Sequence, residues 1–499
     1  MRLPVPRNAC RPCDVMVRDT TRPARGTEQR KAVGLRSWRV ITALAYVGAV
    51  IAVLWGQARA DDFEVSFSAG ARDADGRFAG GTEMRLLTAH AGRLFAGNGF
   101  WEDRPGPEGL QGAQILVLQA PGIPWRVDHA FEDRMTNGRW RDLAVGALAE
   151  ATFSTDGSGR PLPQPVSLLL ASTWDLTGAA QVFSRDDATK TWSAVTLAYD
   201  RPAPDFLPQI RSFATHRDRV TGIDLVFAGE MPRGIFVGAF DSTAPGRIRW
   251  SPAPELDASA VSTAFPDLAG RLRVSSFAEA NGRLYVAVGQ QIYERTDGSQ
   301  PRWRLVYTNR WPGRSETGLR GLTAVPLASG SEALLAAVEG TAPRLVRISP
   351  SDGSEVTELD LNDYLASVWK MRPSYVIAAY NDMTRVHGPN GDSLLIGLMA
   401  FIPRSAPVAT GHGVVNVGYG QVESGAWYLV RSPDARYVLH EVKAAFGHPL
   451  VATRSIVASP FSSEGSTVYM AGYDANKSAA HNTAWIARAS VFAALGLSP

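Results

Sequence analysis

The sequence has 499 residues, of which 45% are hydrophobic and 20% are charged, with 47 Gly and 32 Pro. This balance is typical of a large globular protein with many turns, and it excludes a disordered or fibrous chain. The formal net charge is +3, but the excess of positive charge lies in the N-terminal segment, where residues 1–60 hold 11 Lys/Arg against 3 Asp/Glu. The remainder is therefore mildly acidic, and we expect no nucleic-acid partner.

The N-terminal 60 residues have the features of a secretory leader. Basic residues precede a short apolar run, Val40 to Gly56, and Ala58-Arg59-Ala60 follows it. This order predicts a signal peptide cleaved after Ala60, and the long basic region leaves Met16 open as an alternative start. The other interpretation is an uncleaved anchor, since the run is close to the shortest that spans a bilayer. Either way we expect a periplasmic or secreted protein, with no other membrane contact.

The two cysteines, Cys10 and Cys13, both precede the apolar run. A single Cys-x-x-Cys pair with no second pair or neighbouring histidine is a weak indication of zinc or redox chemistry. The eight histidines are isolated in the sequence, and no phosphate loop or nucleophile motif is present. We therefore expect no cofactor and no metal site.

After the leader, the chain repeats a pattern of four short strands. Residues 271–309 show it best: Arg273 to Ala280, Arg283 to Val288, Gln291 to Arg295 and Trp303 to Tyr307 alternate in hydrophobicity. Asn281-Gly282 between the first two is typical of a type I′ hairpin turn. Similar repeats are predicted at 84–131, 140–199, 210–256, 319–361, 375–442 and 454–491.

These repeats predict an all-β protein, a seven-bladed β-propeller of four-stranded antiparallel blades. The last repeat lacks an outer strand, and the isolated strand Phe63 to Phe67 has no hairpin partner. Pairing these two segments would close the ring and remove a free sheet edge. The domain organisation is thus a leader (1–60), a closing strand with its linker (61–83) and a propeller (84–499), which we expect to be monomeric.

A recurring arginine marks the head of the first strand in every predicted blade except the sixth, which has Tyr375. These residues are Arg85, Arg141, Arg211, Arg273, Arg320 and Arg454. Polar residues recur where the antiparallel second strand ends, among them Asn98, Glu102, Asp175, Glu230, Gln290, Glu339 and Asp474. Each arginine should therefore lie beside a polar or acidic group at one mouth of the central channel.

Two interpretations of the arginines remain open. They form structural bridges to carboxylates or carbonyls of the next blade, or several converge to bind an anion such as an acidic sugar or a carboxylate. The sixth blade, which lacks the arginine, also carries unusual loops with Asp382, His412 and Tyr419. A long Gly-rich insertion there is either a recognition loop or a solvent-exposed loop with no binding role.

The repeated pattern of arginine, aromatic and glycine positions, clearest from Arg273 to Trp303 and from Arg85 to Trp125, resembles that of secreted bacterial seven-bladed propellers. That resemblance implies a funnel-shaped central site and no particular substrate. We therefore predict a protein that binds an anionic small molecule, a saccharide or a protein partner at this mouth. The alternative is a glycoside hydrolase or lyase that uses two carboxylates among Glu230, Glu339, Asp382 and Asp474.

Overall fold

The computed structural model describes residues 63–100, 111–131, 135–136, 139–201, 208–261, 271–310, 318–380, 382–403, 414–417, 420–423, 425–448, 450–473 and 482–497. The predicted leader and its cleavage site lie outside these residues, as do Cys10, Cys13, Glu102, His412, Tyr419 and Asp474. Among the described helices, none has the length and apolar character needed to cross a membrane.

The first part of the chain contains 13 strands. They are β1 (Phe63–Ser68), β2 (Ala71–Arg72), β3 (Phe78–Ala79), β4 (Glu83–His90), β5 (Arg93–Gly99), β6 (Gln114–Leu118), β7 (Arg126–Ala130), β8 (Met135–Thr136), β9 (Arg139–Trp140), β10 (Asp142–Thr155), β11 (Pro161–Asp175), β12 (Ala179–Asp186) and β13 (Thr191–Tyr199). Strands β4 to β7 pair in sequence, as do β10 to β13. The β10–β11 hairpin is longer than predicted, and its far end packs through Phe153 against Phe240.

The middle part contains three further groups of paired strands. They are β14 (Gln209–Arg217), β15 (Asp224–Met231), β16 (Gly234–Phe240), β17 (Ile248–Trp250) and β18 (Leu256–Asp257); β19 (Val274–Ala280), β20 (Arg283–Val288), β21 (Gln291–Thr296) and β22 (Arg302–Thr308); and β23 (Leu319–Pro326), β24 (Glu332–Val338), β25 (Arg344–Ile348) and β26 (Glu355–Asp360). Short 3-10 turns occupy Pro245–Arg247 and Ala258–Ala260.

The last part begins with a helix, α1 (Leu361–Trp369). The strands that follow are β27 (Tyr375–Ala378), β28 (Thr384–Gly388), β29 (Gly391–Phe401), β30 (Val414–Val417), β31 (Gly420–Glu423), β32 (Trp427–Arg431), β33 (Tyr437–Glu441), β34 (Ala452–Ala458), β35 (Thr467–Tyr473) and β36 (Trp485–Ser490). A 3-10 turn at Ser462–Glu464 and a short helix, α2 (Val491–Ala494), complete it. The sequence predicts one first strand in this region, but β27 and β28 are two pieces that both pair with β29. The strand is broken between β27 and β28, where Ala379 has a φ of 50°.

The all-β class and the propeller arrangement are confirmed, although five blades are distinguished where seven are predicted. The described strands form five sheets of four or more strands. One of these has 12 strands, because single bridges, Glu83 to Tyr473 and Gly99 to Ala144, join three successive groups. The count of seven therefore stays a prediction.

The strand β1 occupies the place predicted for a closing strand. It pairs antiparallel with β36, from Phe63 opposite Ala489 to Ser68 opposite Trp485. A register shift between Val65 and Phe67 reverses the alternation of side chains. Phe63 consequently packs against Tyr428, whereas Phe67 packs against Trp125 in the first group. The first and last parts of the propeller are thus joined by one short strand.

Hydrophobic cores lie between successive sheets. One core combines Ala287 and Ile292 with Leu334 and Val346 of the next sheet. The first strands of successive groups also touch: β34 contacts β4, β4 contacts β10, β10 contacts β14, β14 contacts β19, and β19 contacts β23. In a propeller, this succession places the first strands around the centre of the ring.

A candidate anion site on the inner strands

A β-bulge recurs on the inner strands at the predicted arginines. The pairing shifts by one residue between Met84 and Leu86, between Ile210 and Ser212, and between Thr453 and Ser455. The extra residue is Arg85, Arg211 or Arg454, respectively. A bulge leaves one residue out of the ladder and redirects its side chain. Three arginines are therefore turned away from the partners that regular alternation predicts.

Five of the six predicted arginines lie close enough to interact. The charges of Arg273, Arg85, Arg320 and Arg454 all act on Arg211, so we call these five residues the arginine cluster. Four of them are buried, with exposed fractions of 2% for Arg85, 6% for Arg211, 3% for Arg320 and 9% for Arg454. The sixth, Arg141, is more exposed and forms an ion pair with Asp175, with Nη2 2.6 Å from Oδ2. This hydrogen bond raises the pKa of Arg141.

Several members of the cluster bridge to neighbouring sheets, as the structural interpretation predicts. Arg85 Nη1 donates to the carbonyl oxygen of Val145 at 2.9 Å, and Arg320 Nη1 donates to that of Tyr380 at 2.7 Å. Arg320 also pairs with Glu339. Arg454 Nη1 lies 2.5 Å from Oε2 of Glu83, a residue of the first group that is not among the predicted partners.

Two aromatic rings separate the guanidinium groups. The centre of the Trp174 ring is 4.0 Å from Cζ of Arg85 and 5.8 Å from Cζ of Arg211. The Tyr380 ring lies in the same way between Arg454, at 4.2 Å, and Arg320, at 5.4 Å. Stacking of this kind offsets part of the repulsion between arginines. Trp174 was missed from the sequence, although it directly precedes the predicted partner Asp175.

Arg211 differs from the other members of the cluster in its contacts. Its Nη1 donates to Oε1 of Gln209 at 3.1 Å, and within the described part of the chain no carboxylate pairs with it. Burial, followed by the charges of the four other arginines, lowers the pKa of Arg211. An arginine nevertheless remains protonated in proteins, so this buried cation has no counter-ion among the described residues.

The predicted pairing of Arg211 with Glu230 is wrong. Glu230 lies opposite Ile210 in the ladder, and the bulge turns the neighbouring Arg211 away from it. The Oε2 atom of Glu230 accepts the backbone N–H of Arg233 at 2.7 Å, while Oε1 has no hydrogen-bond partner within the described part of the chain. Burial raises the pKa of Glu230 to about 8.

The partner predicted for Arg85 is also not the one observed. Asn98, expected beside Arg85, instead bonds to Gly80 and Gln114. Gln290, expected beside Arg273, accepts a hydrogen bond from Asn309 at 2.7 Å. The partners of Arg141 and Arg320 were predicted correctly.

Glu339 is a buried carboxylate enclosed by the cluster. Besides its pair with Arg320, its Oε1 atom accepts the hydroxyl of Tyr375 at 2.5 Å. Burial opposes ionisation, but the charge of Arg320 and the Tyr375 hydrogen bond lower the pKa of Glu339. Tyr375, which replaces the arginine in the sixth repeat, therefore completes the coordination of a neighbouring carboxylate.

Asp382 follows the interruption between β27 and β28. Its side chain reaches solvent, but the protein crowded around it removes enough water to raise the pKa of its carboxyl to about 6. His412, Tyr419 and Asp474, the remaining predicted site residues, lie outside the described residues.

A separate surface crevice of about 350 Å³ lies away from the cluster, beside β33 and the C-terminal turn. It is lined by residues that include Ser393, Asp434, His440 and Leu495. Burial lowers the pKa of His440 to about 4. No residue predicted for the site lines this crevice.

Comparisons with known proteins give only distant similarities. No protein-family model matches the chain, and no curated protein does. The solved Dos1 propeller is 10% identical and has a TM-score of 0.39, with 87% of this chain and 96% of that chain covered. A candidate exo-β-1,3-galactanase from Bifidobacterium bifidum s17 is 14% identical and has a TM-score of 0.28, with 60% of this chain and 96% of that chain covered. At these values neither similarity bears on the ligand or the chemistry of this protein.

Proposed function

We propose that this chain is an exported, seven-bladed propeller that binds a carboxylate-bearing ligand, such as an acidic saccharide, at the arginine cluster. The observation that carries the proposal is the environment of Arg211, a buried guanidinium close to four other arginines. Its polar contacts among the described residues are the amide oxygen of Gln209 and the ring of Trp174. Burying a cation without a counter-ion is costly. A bound anion would supply the missing charge and accept hydrogen bonds from the guanidinium fork.

The carboxylates support binding over hydrolysis. A glycoside hydrolase needs two carboxyl groups facing one sugar. Glu339 is occupied by Arg320 and Tyr375, and Glu230 is buried with a bond only to the backbone of Arg233. Of the candidate carboxylates that the structure describes, only Asp382 combines solvent access with a raised pKa. We therefore favour a binding protein over a carbohydrate-active enzyme.

A thermal-shift screen tests the proposal. Acidic oligosaccharides such as oligogalacturonates should raise the unfolding temperature of the wild-type protein, whereas neutral oligosaccharides of the same length should not. Arg211→Gln should weaken binding by roughly 10- to 100-fold, the usual loss for a hydrogen bond to a charged group. Arg160→Gln is the matched control, because Arg160 is 81% exposed in a hairpin turn. Equal responses of the two variants would place the ligand elsewhere.

Export is a second part of the proposal, and it depends on the basic residues and apolar run that end at Gly56. Cell fractionation of a bacterium expressing the full chain should recover a periplasmic or secreted protein that is shorter by about 60 residues. Removing Val40 to Gly56 should leave the protein in the cytoplasm. Cytoplasmic recovery of the intact full chain would contradict export.

A further inference from the structure

A histidine is held between two carboxylates at the boundary between the β14–β17 and β19–β22 sheets. His216 is the penultimate residue of the inner strand β14, and its side chain is only 2% exposed. Nδ1 contacts the carboxylate of Glu279 on β19, and Nε2 lies 3.0 Å from Oδ1 of Asp297 in the β21–β22 turn. Both carboxylates belong to the sheet that follows the one carrying the histidine.

The same arrangement occurs two sheets earlier. His90 ends the inner strand β4 and has a side chain that is 1% exposed. Nδ1 lies 2.7 Å from Oε2 of Glu150 on β10, and Nε2 lies 2.8 Å from Oδ2 of Asp187 in the β12–β13 turn. Again, both carboxylates lie on the following sheet.

The surroundings of the two histidines match position by position. An arginine two residues before each aspartate binds it: Arg185 binds Asp187, and Arg295 binds Asp297. Each arginine also pairs with an acid on the preceding sheet, Arg185 with Asp128 and Arg295 with Glu255. These acids accept the indole N–H groups of Trp192 and Trp303. Phe95 and Phe227 lie beneath the two guanidinium groups.

The other charged groups near the histidines do not change this pattern. Arg93 contacts Asp187 at 3.2 Å. The backbone N–H of Arg219 donates to Asp297 at 3.1 Å, and Asp218 pairs with Arg295 at 2.9 Å. Each ring therefore faces carboxylates, and the nearby cations bind those carboxylates.

The geometry determines which form of the ring fits. A neutral imidazole has one N–H, whereas the imidazolium has two. With a carboxylate at each nitrogen, only the imidazolium donates to both. A neutral ring would leave one nitrogen lone pair facing a carboxylate.

We propose that His90 and His216 act as clamps that join neighbouring groups of strands, and that the His216 clamp is protonated and is released when the pH rises. The direction of the pH dependence follows from the two carboxylates that flank His216. Although burial lowers the pKa of His216, the hydrogen bonds and charges of Glu279 and Asp297 raise it overall. The contribution of His216 to stability is therefore complete below the unfolded pKa of about 6.5 and is lost as the pH rises through the folded pKa.

Ring nitrogen-15 spectra of the full protein, labelled at histidine, test the protonation directly. His216→Gln and His90→Gln assign the two signals. At about pH 7, both ring nitrogens of His216 should have protonated shifts, and raising the pH should convert the ring to a neutral form. A neutral tautomer at that pH would overturn the proposal.

Urea unfolding tests the clamp independently of assignment. At about pH 5.5, His216→Gln should raise the unfolding equilibrium constant about tenfold, and the deficit should shrink at about pH 9. His387→Gln is the control, because this histidine is 83% exposed and contacts one aspartate. A deficit of equal size at both pH values would indicate a packing role only and would contradict the clamp. If His216→Gln does not fold, Glu279→Gln provides the same comparison.

Discussion

At the residue scale, the cluster shows which part of a site a sequence can predict. The recurrence of an arginine at the head of each inner strand is visible in the chain, and five of those six residues interact with one another. The partners of Arg85, Arg211 and Arg454 could not be predicted, because a bulge at each of these residues shifts the alternation by one residue. A bulge depends on pairing with another strand, so the sequence of one strand does not show it.

The isolated histidines give a second example. His90 and Glu150 are 60 residues apart, and His216 and Glu279 are 63 residues apart. Short-range motif searches cannot find such pairs, although the shared offset of about one repeat is a signal that could have found them.

Glu230 leads to a prediction about pH. Its folded pKa of about 8 is raised above the ordinary value, so its contribution to stability is complete below about pH 4.3 and is lost as the pH rises through 8. Glu230→Gln keeps a neutral side chain at every pH. The unfolding free energy of Glu230→Gln minus that of wild type should therefore increase by roughly 1–4 kcal/mol between about pH 5 and about pH 9.

Urea denaturation at the two pH values measures this difference. Glu64→Gln serves as the control, since the Glu64 side chain is 65% exposed. A pH-independent difference for Glu230→Gln would show that the carboxyl is ionised throughout the range.

At the element scale, hairpins were the most predictable feature. Asn281 and Gly282 adopt φ values of 50° and 69°, as a type I′ turn requires, and β19 and β20 begin and end within one residue of their predicted bounds. The helix α1 was missed because it has only nine residues. Its start is nevertheless encoded: Asp360 accepts the backbone N–H of Asp363 as an N-cap, and Leu361, Leu365 and Trp369 share a buried face.

The closing strand gives an element-scale prediction. Phe63 and Phe67 are 4% and 8% exposed, whereas Val65 between them is 44% exposed. Phe63→Ala or Phe67→Ala should cost about 3–5 kcal/mol of unfolding free energy, the usual cost of such a substitution in a core. Val65→Ala, on the same strand, should change it by only about 0.5 kcal/mol. Denaturant midpoints compare the three variants, and similar losses for all of them would argue against closure by β1.

At the scale of the whole molecule, the repeat predicts the architecture better than the number of blades. Single bridges between the second strand of one group and the first strand of the next merge three groups into one sheet, and a sequence repeat does not show such contacts. Arg185 and Arg295, each on the third strand of its group, pair with acids of the preceding group. Arg431 on β32 likewise pairs with Glu358 of the preceding sheet. These ion pairs stabilise the contacts between sheets, whereas Arg211 on an inner strand has no carboxylate partner among the described residues.

The most direct measurement is calorimetric titration of the wild-type protein and Arg211→Gln with an acidic oligogalacturonate, at about 0.05 M and about 0.5 M salt. We predict saturable binding by the wild type that weakens at high salt and is reduced at least about tenfold in the variant. Binding that is unchanged by Arg211→Gln, or binding that a neutral oligosaccharide reproduces equally well, would contradict an anion site at the arginine cluster.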